Sequence, residues 1–235
     1  MVLYCTYMKR RVQLRVLGIS VGLGCLVLLG LSGVFEGAVC AADDDRPRIV
    51  AFGDSLTAGL GVASDETYPA ELQRRLDALG LRYRVINAGV SGETTAGGLR
   101  RVPWILRSNP AIVILELGAN DGLRGLRVDE TKANLARIIQ QLQQSGAQVV
   151  LAGMKLPPNY GKDYLAGFER LYPELSARYH VPLIPFFLDG IAGSTVLNQA
   201  DGIHPTAHGY RVIVEGMLRT LQPILTNSTA RGSKK

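Results

Sequence analysis

From residue 48 onward, short apolar runs alternate with longer segments in which apolar residues recur at helical spacing. Such alternation predicts an α/β fold, in which a parallel sheet carries helices on both faces and the crossovers are right-handed. The predicted strands are residues 48–52, 83–88, 111–117, 148–154 and 182–185. The predicted helices are residues 68–79, 94–108, 128–144, 164–179 and 206–221.

The number of predicted strands limits the architectures that the sheet can adopt. Five strands suit a three-layer flavodoxin-like fold with a five-stranded parallel sheet in the order 2-1-3-4-5, and such a sheet places its site beyond the carboxyl ends of the strands. Pro103 is expected to bend the second helix or delay its start, and Pro173 to interrupt the fourth. We expect one domain over residues 43–226, followed by a polar tail over residues 227–235.

The first 42 residues have the composition of an export signal. Basic side chains cluster in residues 9–15, residues 16–35 carry no charge, and residues 38–42 are mostly small. This order predicts a signal peptide over residues 1–42, cleaved near its end, and therefore a periplasmic or secreted protein. The alternative is an uncleaved anchor, because 20 uncharged residues are long enough to span a bilayer. In either case membrane contact is expected only through this segment.

Charge and cysteine content exclude several classes of function. Residues 43–230 contain 19 basic and 19 acidic side chains, and a neutral body lacks the basic stripe that nucleic-acid binding requires. All three cysteines lie in the first 40 residues. The body therefore has no disulfide, no cysteine nucleophile and no metal site built on cysteine.

Four polar segments stand at the predicted carboxyl edge of the sheet. Three of them directly follow the first three strands, and the fourth directly precedes the last helix. They are Gly-Asp-Ser-Leu at residues 53–56, Asn-Ala-Gly-Val-Ser-Gly at 87–92, Gly-Ala-Asn-Asp at 118–121 and Asp-Gly-Ile-His-Pro at 201–205. If the sheet is parallel, all four meet at one edge.

The side chains of these segments complement one another chemically. Ser55 needs a neighbouring base to become a nucleophile, and His204 with Asp201 behind it supplies the arrangement of a hydrolytic triad. The tetrahedral intermediate of acyl transfer also needs hydrogen-bond donors. The backbone N–H groups of Ser55 and Gly92 and the side-chain amide of Asn120 are candidates for this oxyanion hole.

Simpler explanations exist for each segment alone. Gly-Asp-Ser after a strand is often only a turn, and Asp121 is interpreted as support for the Asn120 loop. The spacing of His204 and His208 also suits a zinc site, but no third ligand is apparent, so neither a metal nor a cofactor is expected. A non-catalytic flavodoxin-like binding module would require a phosphate or flavin loop, which the turn after the first strand lacks. The four segments together favour an enzyme.

With these four segments, the chain resembles the SGNH or GDSL hydrolases over about residues 47–225. By resemblance, Ser55 is the nucleophile, Asp201 and His204 complete the triad, and Gly92 and Asn120 join Ser55 in the oxyanion hole. Within the family it looks most like the exported bacterial group described as acyl-CoA thioesterase, lysophospholipase and arylesterase. That closer similarity lies in residues 116–125, 156–161 and 181–187.

The resemblance implies a serine esterase or thioesterase that acts through an acyl-enzyme on Ser55. Aryl esters, lysophospholipids and acyl thioesters are the implied small-molecule substrates, and the protein is expected to be a monomer. A carbohydrate O-deacetylase of the same family is the alternative. Residues 122–127 and 155–163 lie on the expected site edge, where they either shape an acyl pocket or are plain loops. The apolar residues among them favour an aliphatic acyl chain as the group that is bound there.

Overall fold

The structure is a computed structural model that describes residues 45–232, with side chains up to residue 226. The predicted signal segment therefore lies outside the described residues. Within them, the strands are β1 (Arg48–Gly53), β2 (Arg84–Asn87), β3 (Pro110–Glu116), β4 (Gln148–Ala152) and β5 (Leu183–Ile184). The α-helices are α1 (Ser55–Ala58), α2 (Tyr68–Ala78), α3 (Thr95–Leu106), α4 (Ala119–Leu123), α5 (Val128–Gln144), α6 (Lys162–Tyr179) and α7 (Ala207–Gly232).

The five strands form one parallel sheet in the order β2-β1-β3-β4-β5. This confirms the predicted fold class and strand order. At the carboxyl edge, Gly53 of β1 pairs with Glu116 of β3. The segments that follow these two central strands therefore leave the sheet side by side, which brings two of the four polar segments together.

Helices cover both faces of the sheet. On one face α2 packs against α7, and on the other α3 packs against α5 and α5 against α6. The buried side of α5 consists of Leu135, Ile138, Ile139 and Leu142, the helical spacing seen in the sequence. In β1 and β3 nearly every side chain is buried, because both strands are central and covered on both faces.

Proline affects the helices less than predicted. The prediction that Pro173 interrupts its helix is wrong, because α6 is continuous from Lys162 to Tyr179. One proline removes one backbone hydrogen bond, and Leu171, Tyr172 and Leu175 remain buried around it. Pro103 likewise lies inside α3, which starts at Thr95 without delay.

The last helix is longer than predicted. It passes the predicted end at Leu221 and continues to Gly232, so residues 227–232 of the predicted polar tail have helical backbone. The reason is that Leu221, Ile224 and Leu225 extend its buried face beyond Pro223. No helix between residues 45 and 232 combines the length and the apolar character needed to cross a bilayer.

Candidate active site

Ser55 is the first residue of α1, at the point where β1 leaves the sheet. The sequence predicted the serine at this place but no helix beginning at it. Asp54 caps this short helix, because its Oδ1 accepts a hydrogen bond from the Leu56 N–H at 3.0 Å. Ser55 is 8% exposed. The cap and the end of β1 thus fix the serine hydroxyl at the carboxyl edge of the sheet.

His204 and Asp201 lie in the loop between β5 and α7, and the structure brings both to Ser55. The Oγ of Ser55 is 2.9 Å from Nε2 of His204, and Nδ1 of the same ring is 2.6 Å from Oδ2 of Asp201. With the Nδ1 proton directed at Asp201, Nε2 is free to accept the serine proton. Ser55, His204 and Asp201 therefore have the connectivity of a hydrolytic triad.

Asp201 is fixed by the backbone of its own loop. Its Oδ1 accepts hydrogen bonds from the N–H groups of Ile203 at 2.9 Å and His204 at 3.0 Å. The His204 N–H, the His204 ring and the Ile203 N–H lower the pKa of Asp201 to about 2, because all three favour its ionised form. Asp201 therefore remains a carboxylate at any pH at which an esterase works.

Two backbone N–H groups are free to bind an oxyanion. Among the described residues, neither the N–H of Ser55 nor that of Gly92 has a hydrogen-bond acceptor. The Gly92 loop is attached to the serine turn, since the Val90 N–H donates to the Gly53 carbonyl at 3.0 Å. Gly92 has a φ of +76°, a conformation that suits glycine. Its carbonyl accepts a hydrogen bond from Nη2 of Arg124 at 2.9 Å.

The third candidate donor, Asn120, is held next to the serine turn. Its Nδ2 donates to Oδ2 of Asp54 at 2.9 Å, which leaves the second amide proton available. The neighbouring Asp121 is buried and accepts from the Thr95 N–H at 2.8 Å, at the start of α3. Asp121 thus ties α4 to α3, in accord with the supporting role expected for it.

The sequence analysis did not single out Glu116, the last residue of β3. Glu116 is completely buried, and its Oε2 accepts hydrogen bonds from Oγ1 of Thr57 at 2.8 Å and from the Asp54 N–H at 3.3 Å. Burial and the adjacent Asp54 raise the pKa of Glu116 well above its usual value. The sequence does contain a signal that could have drawn attention to Glu116, because it is the one acidic residue in the otherwise apolar run of residues 111–117.

The two segments suggested as walls of an acyl pocket contact each other beside Asn120. The Tyr160 hydroxyl donates to the Leu123 carbonyl at 2.9 Å, and the Tyr164 hydroxyl donates to the Leu126 carbonyl at 2.7 Å. Leu156 packs against Gly122 of α4. The contacts of Leu156 and Tyr160 join residues 122–127 and 155–163 into one partly apolar surface next to the candidate oxyanion hole, and the contact of Tyr164 adds the residue that follows.

Two other features do not contribute to this site. A cavity of about 350 Å³ lies between β5 and α7, lined by Lys155, Phe186 and Arg219 among others, and it includes no residue of the candidate triad or oxyanion hole. His208 is exposed on α7. Within the described residues, no cluster of three His, Cys, Asp or Glu side chains is arranged to hold a metal ion.

Comparison with known proteins identifies a family and relatives of this chain. Residues 51–212 match the profile of the GDSL-like Lipase/Acylhydrolase family. Esterase TesA of Pseudomonas aeruginosa is 44% identical over 196 residues, which are 83% of this chain and 98% of the relative. Thioesterase 1/protease 1/lysophospholipase L1 of Escherichia coli is 35% identical over 182 residues, which are 77% of this chain and 86% of the relative.

Solved structures agree in fold. The crystal structure of TesA, 44% identical to this chain, superposes with a TM-score of 0.73 and covers 75% of this chain and 98% of its own. A structure of esterase EstA from Pseudoalteromonas, inhibited by monoethylphosphonate, is 35% identical and also has a TM-score of 0.73. That match covers 77% of this chain and all of the EstA chain.

Proposed function

Because this chain belongs to the GDSL-like lipase/acylhydrolase family, we propose that it is a serine hydrolase of acyl esters and thioesters. The observation that carries the proposal is the continuous chain of hydrogen bonds from Ser55 through His204 to Asp201. It joins a nucleophile to its base, and the base to the carboxylate that orients it.

In the proposed mechanism, Oγ of Ser55 attacks the acyl carbonyl carbon while its proton passes to Nε2 of His204. The carbonyl oxygen becomes an oxyanion, which accepts hydrogen bonds from the N–H groups of Ser55 and Gly92 and from the Asn120 amide. When the intermediate collapses, the bond to the leaving group breaks and His204 donates the proton to that group. His204 then deprotonates a water molecule that attacks the acyl-enzyme, and the acid departs with Ser55 restored.

The proposed substrates are aryl esters, lysophospholipids and acyl thioesters with an aliphatic acyl group. The names of the relatives support this class, since they comprise an esterase and a thioesterase that is also a lysophospholipase. A third relative, 37% identical over 192 residues, is an arylesterase of Vibrio mimicus. The apolar surface that includes Leu123, Leu126 and Leu156 supports an acyl chain beside Asn120. We further propose that residues 1–42 direct export of the enzyme and that it works as a monomer.

A substrate panel tests the proposal. Purified enzyme is assayed on p-nitrophenyl esters of increasing chain length, on lysophospholipid, on acyl-CoA and on acetylated xylan, each beside Ser55→Ala. We expect turnover of aliphatic esters, and a loss of about 10⁴-fold or more in kcat for the variant with its melting temperature retained. Turnover of acetylated xylan alone would favour the carbohydrate O-deacetylase, and near-normal ester turnover by Ser55→Ala would reject the proposed nucleophile.

A further inference from the structure

Glu116 and Asp54 form a buried carboxyl pair behind Ser55, and Glu116 takes part in no step of the proposed mechanism. Asp54 is 1% exposed and Glu116 is completely buried. Neither forms an ion pair with a lysine or arginine within the described part of the chain. Two adjacent carboxylates would repel each other there without the solvation that water provides, so the pair retains one proton at neutral pH.

The hydrogen bonds of the pair indicate which carboxyl keeps that proton. Both oxygens of Asp54 accept a hydrogen bond, from the Leu56 N–H and the Asn120 amide. In Glu116 only Oε2 accepts hydrogen bonds, whereas Oε1 is buried without a partner among the described residues. Ionised Glu116 would therefore leave a charged oxygen without any donor, which costs more than a neutral carboxyl oxygen without one, and a neutral Glu116 can donate its proton to Asp54. The geometry assigns the negative charge to Asp54.

The surrounding titratable groups are consistent with this assignment. Tyr68 of α2, Tyr172 of α6 and Tyr210 of α7 are within electrostatic reach of Glu116, and burial raises the pKa of each, so all three are neutral. Burial raises the pKa of Asp54 to about 6, opposed by its hydrogen bonds and by His204. Burial thus favours a proton on the pair, in agreement with the hydrogen bonds that assign the charge to Asp54.

We propose that Glu116 is a positioning residue: as a neutral acid it holds the turn that carries Ser55, and it leaves Asp54 as the single carboxylate that orients the Asn120 amide toward the oxyanion. This inference rests on the proposed function, because it takes Asn120 as an oxyanion donor. Gly53 gives independent support. A Cβ on Gly53 would lie 2.0 Å from Oγ1 of Thr57 and 2.5 Å from Oε2 of Glu116, so the glycine leaves room for Glu116 to reach the turn.

An activity experiment compares Glu116→Gln with Glu116→Leu at pH 7. Glutamine keeps an uncharged acceptor for the Thr57 hydroxyl and the Asp54 N–H, whereas leucine removes it. We expect the leucine variant to lose about tenfold or more in kcat with KM changed by less than about twofold, and glutamine to restore kcat to within about threefold of wild type. Equal losses in both variants would show that an uncharged acceptor at this position does not hold the turn, and full kcat in the leucine variant would show that Glu116 positions nothing. Either result overturns the proposal.

A stability experiment tests the proton itself, in a Ser55→Ala background where turnover has no influence. A glutamate in the unfolded chain ionises above about pH 4.3, whereas buried Glu116 keeps its proton. Folding then takes up a proton, so the unfolding equilibrium constant rises about tenfold per pH unit up to the pKa of Glu116 in the folded protein. Glutamine does not titrate. We therefore expect the melting temperature of Glu116→Gln to rise relative to that of its Ser55→Ala parent between pH 5 and pH 8.

The matched control is Glu169→Gln, which removes the same carboxyl from an exposed position of α6, where the side chain stays in water. If the difference in melting temperature between Glu116→Gln and its Ser55→Ala parent does not change with pH, the proposal is overturned. This test stays valid when Glu116→Leu does not fold. The result of this melting experiment does not depend on whether the proposed function is correct. Ester turnover by Ser55→Ala would reject the nucleophile and leave the melting curves unaffected.

Discussion

Asn120 is the candidate oxyanion donor that mutation can remove, because the other two donors are backbone N–H groups. In the structure one proton of its amide is bound by Asp54, and the second is available to substrate. That arrangement gives the side chain a fixed orientation before the oxyanion forms. Preorganised donors of this kind stabilise the transition state more than the ground-state carbonyl.

We predict that Asn120→Ala lowers kcat by an amount equivalent to about 2.7–4 kcal/mol, the range found when one oxyanion donor is lost. KM should change much less, because the donor acts mainly in the transition state. The measurement is kcat, KM and melting temperature on the same sample. Asn134→Ala is the control for loss of structural support alone, because the amide of Asn134 donates to Oγ1 of Thr95, which is itself bound to Asp121. Equal kcat in the two variants would remove Asn120 from the site.

At the scale of elements, the segment between α4 and α5 connects the apolar surface to the oxyanion hole. Nη2 of Arg124 donates to the Gly92 carbonyl. The hydroxyls of Tyr160 and Tyr164 donate to the carbonyls of Leu123 and Leu126, which holds this part of the chain in place. The orientation of the Gly92 loop therefore depends on a side chain that lies outside the four polar segments.

We predict that Arg124→Ala lowers kcat by about threefold to tenfold, since one hydrogen bond contributes about 0.5–1.5 kcal/mol. Arg127→Ala is the control, because Arg127 is exposed in the same segment and its ion pair is with Glu130 at 3.7 Å. Steady-state kinetics on a short p-nitrophenyl ester measures both. A loss in the Arg127 variant as large as that in the Arg124 variant would mean that removing positive charge, and not the bond to Gly92, lowers the rate.

Strand order and the meeting of the four polar segments followed from the sequence because apolar periodicity and strand-end motifs are local signals. That Ser55, His204 and Asp201 lie together could be predicted for the same reason, whereas their catalytic roles stay predictions. The continuity of α6 through Pro173 could not, because packing of its buried face outweighs one missing hydrogen bond. The buried contacts of Glu116 were equally inaccessible, since an acidic residue at the end of an apolar strand does not indicate which groups will surround it.

For the molecule as a whole, the prediction outside the described residues concerns export. We predict that full-length protein expressed in a Gram-negative host is processed to a periplasmic form that begins near residues 41–43, because residues 1–42 have the order of a signal peptide. N-terminal sequencing of the periplasmic and membrane fractions measures this. Recovery of intact residues 8–40 in the membrane fraction would favour the uncleaved anchor.

The central claim is that Ser55 forms the covalent intermediate, and trapping that intermediate tests it most directly. Enzyme treated with a reactive phosphonate ester should gain the mass of one phosphonyl group, and peptide mapping should place that group on Ser55. The reaction should be abolished in Ser55→Ala and strongly slowed in His204→Ala, because Nε2 of His204 is the base for the Ser55 hydroxyl. An adduct on another residue, or an unchanged labelling rate in Ser55→Ala, would contradict the account.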